Sequence, residues 1–172
     1  AAMARSGAIL NNDEYVHAAI KAMDFILKNL YNKDGSLLKR YRNGNVGLTG
    51  LLDDYAFTIW ALIELYQMNY KEKYLDIAMD ISEYQIDQFW DFDNHGFFFT
   101  SESGEQLLVR SKEVYDGAIP SGNSVSAYNF IRLARMTSRP DFEDTAFHIF
   151  NAFAGILNRG SSGYSMMMQA VD

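Results

Sequence analysis

Leu52-Asp53-Asp54-Tyr55-Ala56-Phe57-Thr58-Ile59-Trp60-Ala61-Leu62-Ile63-Glu64-Leu65 decides the fold, because beyond its first turn this stretch has almost no polar face. A helix that is apolar all round is buried all round. The chain then repeats itself 68 residues later. Ser121-Gly122-Asn123-Ser124 stands where Asp53-Asp54-Tyr55-Ala56 stood, and Leu65, Met68 and Ala78 recur as Leu133, Met136 and Ala146. A period of this length, built from two helices and a connection, marks an α-helical array or toroid whose units stack because none buries its apolar face alone. The inner helices of such an array begin on one side of the body, so polar residues at matching helix starts assemble into one site.

Working outward, the segment from Asn12 to Leu30 sets Val16, Ala19, Ile20, Met23, Ile26, Leu27 and Leu30 on one stripe, with His17, Lys21, Asp24 and Lys28 opposite. That spacing predicts an outer helix, N-capped by Asn12, with Asp13 and Glu14 at the positive end of its dipole. A second outer helix runs from about Lys71 to Trp90 through Tyr74, Ile77, Ala78 and Ile81. An inner-type helix from Ser121 to Met136 follows, then an outer-type helix from about Pro140 to Leu157, where proline suits the first turn. Ala1 to Leu10 and Tyr164 to Val171 also read as helix. Two connecting segments, Asp34 to Arg42 and Asp91 to Arg110, read as β-hairpins. The second turns at Asn94 to Gly96, runs out through Phe97-Phe98-Phe99-Thr100 and returns through Leu107-Leu108-Val109. The expectation is an all-α chain of about seven helices with two short β-hairpins laid over the end where the inner helices begin. Such a chain is about half of a closed ring, and its uncovered inner helices predict self-association.

Composition excludes several classes of function. A net charge of −7 and the lack of a basic stripe argue against nucleic acid. There is no cysteine, so thiolate catalysis, disulfides and Cys-based metal sites are out, and His17, His95 and His148 are scattered. No cofactor or metal is expected. The most apolar stretch, Ala56 to Leu65, is half the length of a bilayer span and contains Glu64. No membrane association is expected, and a cytoplasmic location follows by elimination.

Two strings carry a resemblance: Leu52-Asp53-Asp54-Tyr55-Ala56-Phe57 and Tyr115-Asp116-Gly117-Ala118-Ile119-Pro120-Ser121-Gly122-Asn123-Ser124. Together with Gly96-Phe97-Phe98-Phe99-Thr100 and the tail from Tyr164 to Asp172, they are similar to hallmark segments of the YyaL family. These are thioredoxin-domain proteins that include the spermatogenesis-associated relatives. The resemblance covers essentially the whole chain. It implies that residues 1 to 172 are part of the family's C-terminal helical region, a six-hairpin α/α toroid similar to that of the N-acylglucosamine 2-epimerases and many glycosidases. The family's thioredoxin-like domain has no counterpart here, so the resemblance assigns this piece no redox role.

Asp53 and Asp54 open an inner helix, where one carboxylate caps free amides and the other is left to face a ligand. Asp54 is the expected ligand-facing acid, and Asp116 or Glu113, before the next inner helix, is the expected partner. Glycosidases need such a carboxyl pair, one held protonated and one charged. Tyr55, Arg110, Glu113, Tyr115, Ser121 and Asn123, with Asp53, are the candidate substrate-binding residues. The aromatic groups would stack on sugar rings, the arginine would grip a hydroxyl or carboxylate, and Ser121 and Asn123 would offer hydrogen bonds at a helix start. An epimerase would require histidines at inner-helix starts, and none stands there.

Two functions follow from these residues. One is a carbohydrate-binding or carbohydrate-processing toroid, with the isolated chain inactive. The other is a non-catalytic scaffold that supports a thioredoxin-like domain, its polar strings serving only to shape loops.

Overall fold

The computed structural model describes residues 1–104 and 108–172. Seven α-helices are present among the described residues: α1 (Ala2–Leu10), α2 (Asp13–Asn29), α3 (Leu52–Asn69), α4 (Glu72–Phe89), α5 (Gly122–Thr137), α6 (Pro140–Leu157) and α7 (Ser165–Val171). Neighbouring α1, α3, α5 and α7 form the inner layer, and α2, α4 and α6 each pack on the outside of the inner helix beside them. The alternation expected from the apolar patterning is therefore present. α4 buries one stripe, Tyr74, Ala78, Ile81, Gln85 and Phe89, and α6 buries Phe142, Ala146, Ile149 and Phe153. Asn12 caps α2, its Oδ1 accepting the Tyr15 amide at 3.2 Å.

The 68-residue period is visible in the backbone. α3 and α5 are each terminated by a residue in the left-handed region, Tyr70 (φ 54°) and Ser138 (φ 56°). One further residue then leads into α4 or α6, both 18 residues long. The inner helices also hold the preceding connection by equivalent positions. Tyr55 Oη accepts the Leu37 amide at 2.9 Å, and Asn123 Oδ1 accepts the Phe97 amide at 2.8 Å. Leu37 and Phe97 are themselves equivalent, each closing a single antiparallel bridge back to the end of the outer helix before it, at Tyr31 and Trp90.

The connections differ from expectation. The first hairpin lies further along the chain than Asp34 to Arg42. Strands β1 (Leu38–Arg42) and β2 (Asn45–Thr49) turn at Asn43-Gly44, both at positive φ, which is the backbone a tight hairpin turn demands. Asp34 makes a local turn instead, its Oδ1 accepting the Ser36 amide. The second expected hairpin, Asp91 to Arg110, is not formed among the described residues. Its backbone is met by helix ends, side chains and isolated contacts such as the Phe99 amide on Ser111 O, rather than by a ladder. The Phe98 amide donates to Phe89 O, and the Arg110 guanidinium donates to Thr100 O and Gln88 O. Leu108 and Val109 are fully exposed, and Leu107 lies outside the described residues.

Within that segment Asp91 is the anchor. Its Oδ1 accepts the amides of Asp93 and Asn94, and Oδ2 meets Lys112 Nζ at 2.6 Å. Burial opposes its charge, but the lysine and the amides outweigh burial and hold the carboxyl well below the usual range. His95, in the turn, stacks on His148 of α6 with ring centroids 4.4 Å apart, so it is a packed group rather than a surface one.

Candidate functional site

The starts of α3 and α5 lie against each other because residue 122 is glycine. A Cβ at that position would come within 2.6 Å of Asp53 Oδ1 and 2.7 Å of Leu52 Cγ. The close approach brings the Gly122 amide up to the Asp53 carboxylate, so the side chain of one inner helix sits at the first turn of the next. Asp53 is half-buried. Burial raises its pKa, the charges of Glu113 and Asp54 raise it further, and the Gly122 amide and Lys39 only partly offset them.

Asp54 is differently placed. Its Oδ2 accepts the Leu51 amide at 2.9 Å, a cap on its own helix. The expected roles of the two adjacent acids are therefore exchanged, with Asp54 capping and Asp53 left toward the cleft. Asp116 is also engaged. Oδ1 accepts the Ser121 amide at 2.9 Å, and Oδ2 accepts the amides of Met166 and Met167 at 2.8 and 3.2 Å. This buried carboxylate ties the start of α5 to the first turn of α7, and both of its oxygens are occupied.

The other expected site residues divide by exposure. Asn123 is fully buried, and beyond its bond to the Phe97 amide its Nδ2 donates to Phe97 O and Glu113 O. Tyr55 is fully buried on the Leu37 amide. Ser121 is the N-cap of α5, its Oγ accepting the Ser124 amide. Arg110 braces backbone carbonyls and lies 4.2 Å over the Phe98 ring. These four shape the loops, because their polar atoms face the protein. Glu113 and Tyr115 are exposed, since the extended run from Glu113 to Asp116 alternates outward and inward, with Val114 and Asp116 buried. Tyr115 meets Tyr164 edge-on at 6.1 Å, and glycine at 163 makes room for its ring, where a Cβ would lie 3.0 Å away.

Asp53 and Asp54 border an open cleft of about 510 Å³ whose walls include Phe57, Thr58 and Ile119. The last three were not anticipated, although Phe57 and Thr58 stand one helical turn after the paired acids. No group of three or more potential metal ligands occurs among the described residues. No helix of the described residues is long and apolar enough to cross a membrane.

Spermatogenesis-associated protein 20 from Rattus norvegicus is 30% identical over 96% of this chain, and that of Mus musculus is 32% identical over 90%. The chain is homologous to spermatogenesis-associated protein 20. It spans about a fifth of the length of these curated relatives, 22% and 21% respectively. No family model matches. Among solved structures, a family 76 glycoside hydrolase from a bovine Bacteroides thetaiotaomicron strain superposes with a TM-score of 0.73 at 17% identity, covering 87% of this chain and 32% of that one. Cellobiose 2-epimerase from Bacillus thermoamylovorans gives 0.71 at 15% identity, covering 88% and 41%. Likeness at that identity shows the fold. The chain shares the α/α toroid-type fold of these proteins.

Proposed function

We propose that the cleft at the start of α3 binds carbohydrate, with Asp53 and Glu113 as its acid pair and Tyr115 as the exposed ring against which a sugar packs. The observation that carries this reading is Asp53, a half-buried carboxyl at an inner-helix start whose pKa is raised by burial and by the neighbouring charge of Glu113. Glycoside chemistry uses one carboxyl held protonated and a second that acts charged, and the raised pKa of Asp53 suits it to the first role. The fold is shared with proteins whose names record glycoside hydrolysis and cellobiose epimerisation, and that likeness supports the substrate class by analogy. The whole protein's activity then depends on groups that other inner helices bring to the same end.

A specific observation also favours a scaffold reading, in which the helical body supports a thioredoxin-like domain. Asp54, Asp116, Ser121 and Asn123 are all consumed in caps and loop contacts.

A thermal-shift screen against simple mono- and disaccharides separates the two. A sugar at 100 times its Kd raises stability by about 2.7 kcal/mol. The carbohydrate reading expects a shift in the wild type that Asp53→Asn removes and Asp54→Asn keeps. Absence of any shift, in a protein whose stability falls on Asp54→Asn, leaves the scaffold.

A further inference from the structure

At the other end of α3 the inner helices border a second, open hollow of about 420 Å³, lined by Arg5 of α1, Glu64 and Gln67 of α3, and Tyr128, Arg132 and Arg135 of α5. Three guanidinium groups and one carboxylate face it, a local excess of positive charge in a chain of net charge −7. Glu64 is already engaged, because its Oε1 accepts from Arg132 Nη2 at 2.8 Å and from Trp60 Nε1 at 3.0 Å. Gln67 Oε1 accepts from the same Nη2 at 2.7 Å, and the Tyr128 ring lies 5.0 Å from the guanidinium carbon. These contacts fix the Arg132 plane and leave its Nη1 buried with no hydrogen-bond partner among the described residues. Arg5 and Arg135 make no salt bridge among the described residues.

We propose that this hollow is a binding site for a small molecule bearing an oxyanion, phosphate or carboxylate. Three guanidinium groups share a single carboxylate here, and an oxyanion supplies the counter-charge that the protein does not. Arg132 is held as a preset fork by Glu64 and Gln67, and planar guanidinium groups match the paired oxygens of phosphate and carboxylate. Arg5 and Arg135 add charge from two other directions. The volume suits a ligand the size of a small metabolite. The site is separate from the acid cleft, because Asp53 and Gln67 are 14 residues apart on one helix, about 20 Å at 1.5 Å per residue.

The test is calorimetric titration of the protein with inorganic phosphate and, separately, with citrate, at low ionic strength. Saturable one-site binding is expected for at least one of them, and the tighter of the two identifies the preferred oxyanion. The double variant Arg5→Gln and Arg135→Gln should weaken it about tenfold or more at an unchanged melting temperature, because both side chains are exposed and unpaired. Arg135→Lys should retain part of the affinity, a point charge without the fork. Asp53→Asn should leave the titration as it is, so failure of the carbohydrate reading does not touch this one. Absence of saturable binding by either anion overturns the proposal, as does binding that the double variant leaves intact.

Discussion

Asp53 and Asp54 are neighbours in sequence with opposite consequences for stability. A carboxyl whose folded pKa lies above its unfolded value contributes stability that is fully present below about pH 4 and is lost as the pH rises through the folded value. Asp53 is such a group. Asp53→Asn is therefore expected to raise the melting temperature at pH 7 and to match the wild type below about pH 3.5. Asp54→Ala deletes the acceptor for the Leu51 amide and should cost about 1 kcal/mol, seen as a lower midpoint in urea. Asp116→Ala should cost more, roughly 2 to 3 kcal/mol, because three amides at two helix starts lose their acceptor together. That two adjacent acids divide between capping and the cleft was legible in the sequence. Which does which was not, because the deciding partners, Glu113 and Gly122, lie 60 and 69 residues further along the chain. Asp116 shows the same limit, since its partners at Met166 and Met167 are 50 residues away.

The helices were the legible elements. Apolar spacing placed α2, α4 and α6 within a residue or two of their ends, and Pro140 does open α6. The connections were less so, for a physical reason: the Leu37 and Phe97 amides are taken by inner-helix side chains and the Phe98 amide by a carbonyl of α4, so strand propensity in Phe97-Phe98-Phe99 had no ladder to join, while the first hairpin formed further along, at residues 38–49. The polar positions 55 and 123, read as ligand groups, are the clasps of those connections. Tyr55→Phe leaves the Leu37 amide buried without an acceptor and should cost about 1 to 3 kcal/mol, with faster hydrogen exchange confined to the segment from residue 34 to 42. Asp91 works in the opposite sense to Asp53. Its depressed pKa contributes stability that is present above about pH 4 and lost as the pH falls through the folded value, so Asp91→Asn should flatten the acid limb of the stability profile.

For the whole molecule, the exception to the expected burial of α3 is informative. Phe57, Trp60 and Ala61 keep part of their surface exposed while Tyr55, Ile59, Leu62 and Ile63 are sealed. One face of the inner layer is thus uncovered, and a chain with that face is expected to associate in a concentration-dependent way. Analytical ultracentrifugation should show the weight-average mass rising with concentration, and Phe57→Gln should reduce the rise. A constant mass across the range would count against it. The left-handed turns at Tyr70 and Ser138 carry a consequence for the order of assembly. They join α3 to α4 and α5 to α6 through connections so short that each pair meets through contacts close in sequence, and the entropy of closing such loops is small. The two helix pairs should therefore become protected first in pulse-labelled refolding, while the Leu37 and Phe97 amides, which wait for the inner helices to meet their connections, should follow in a later and slower phase.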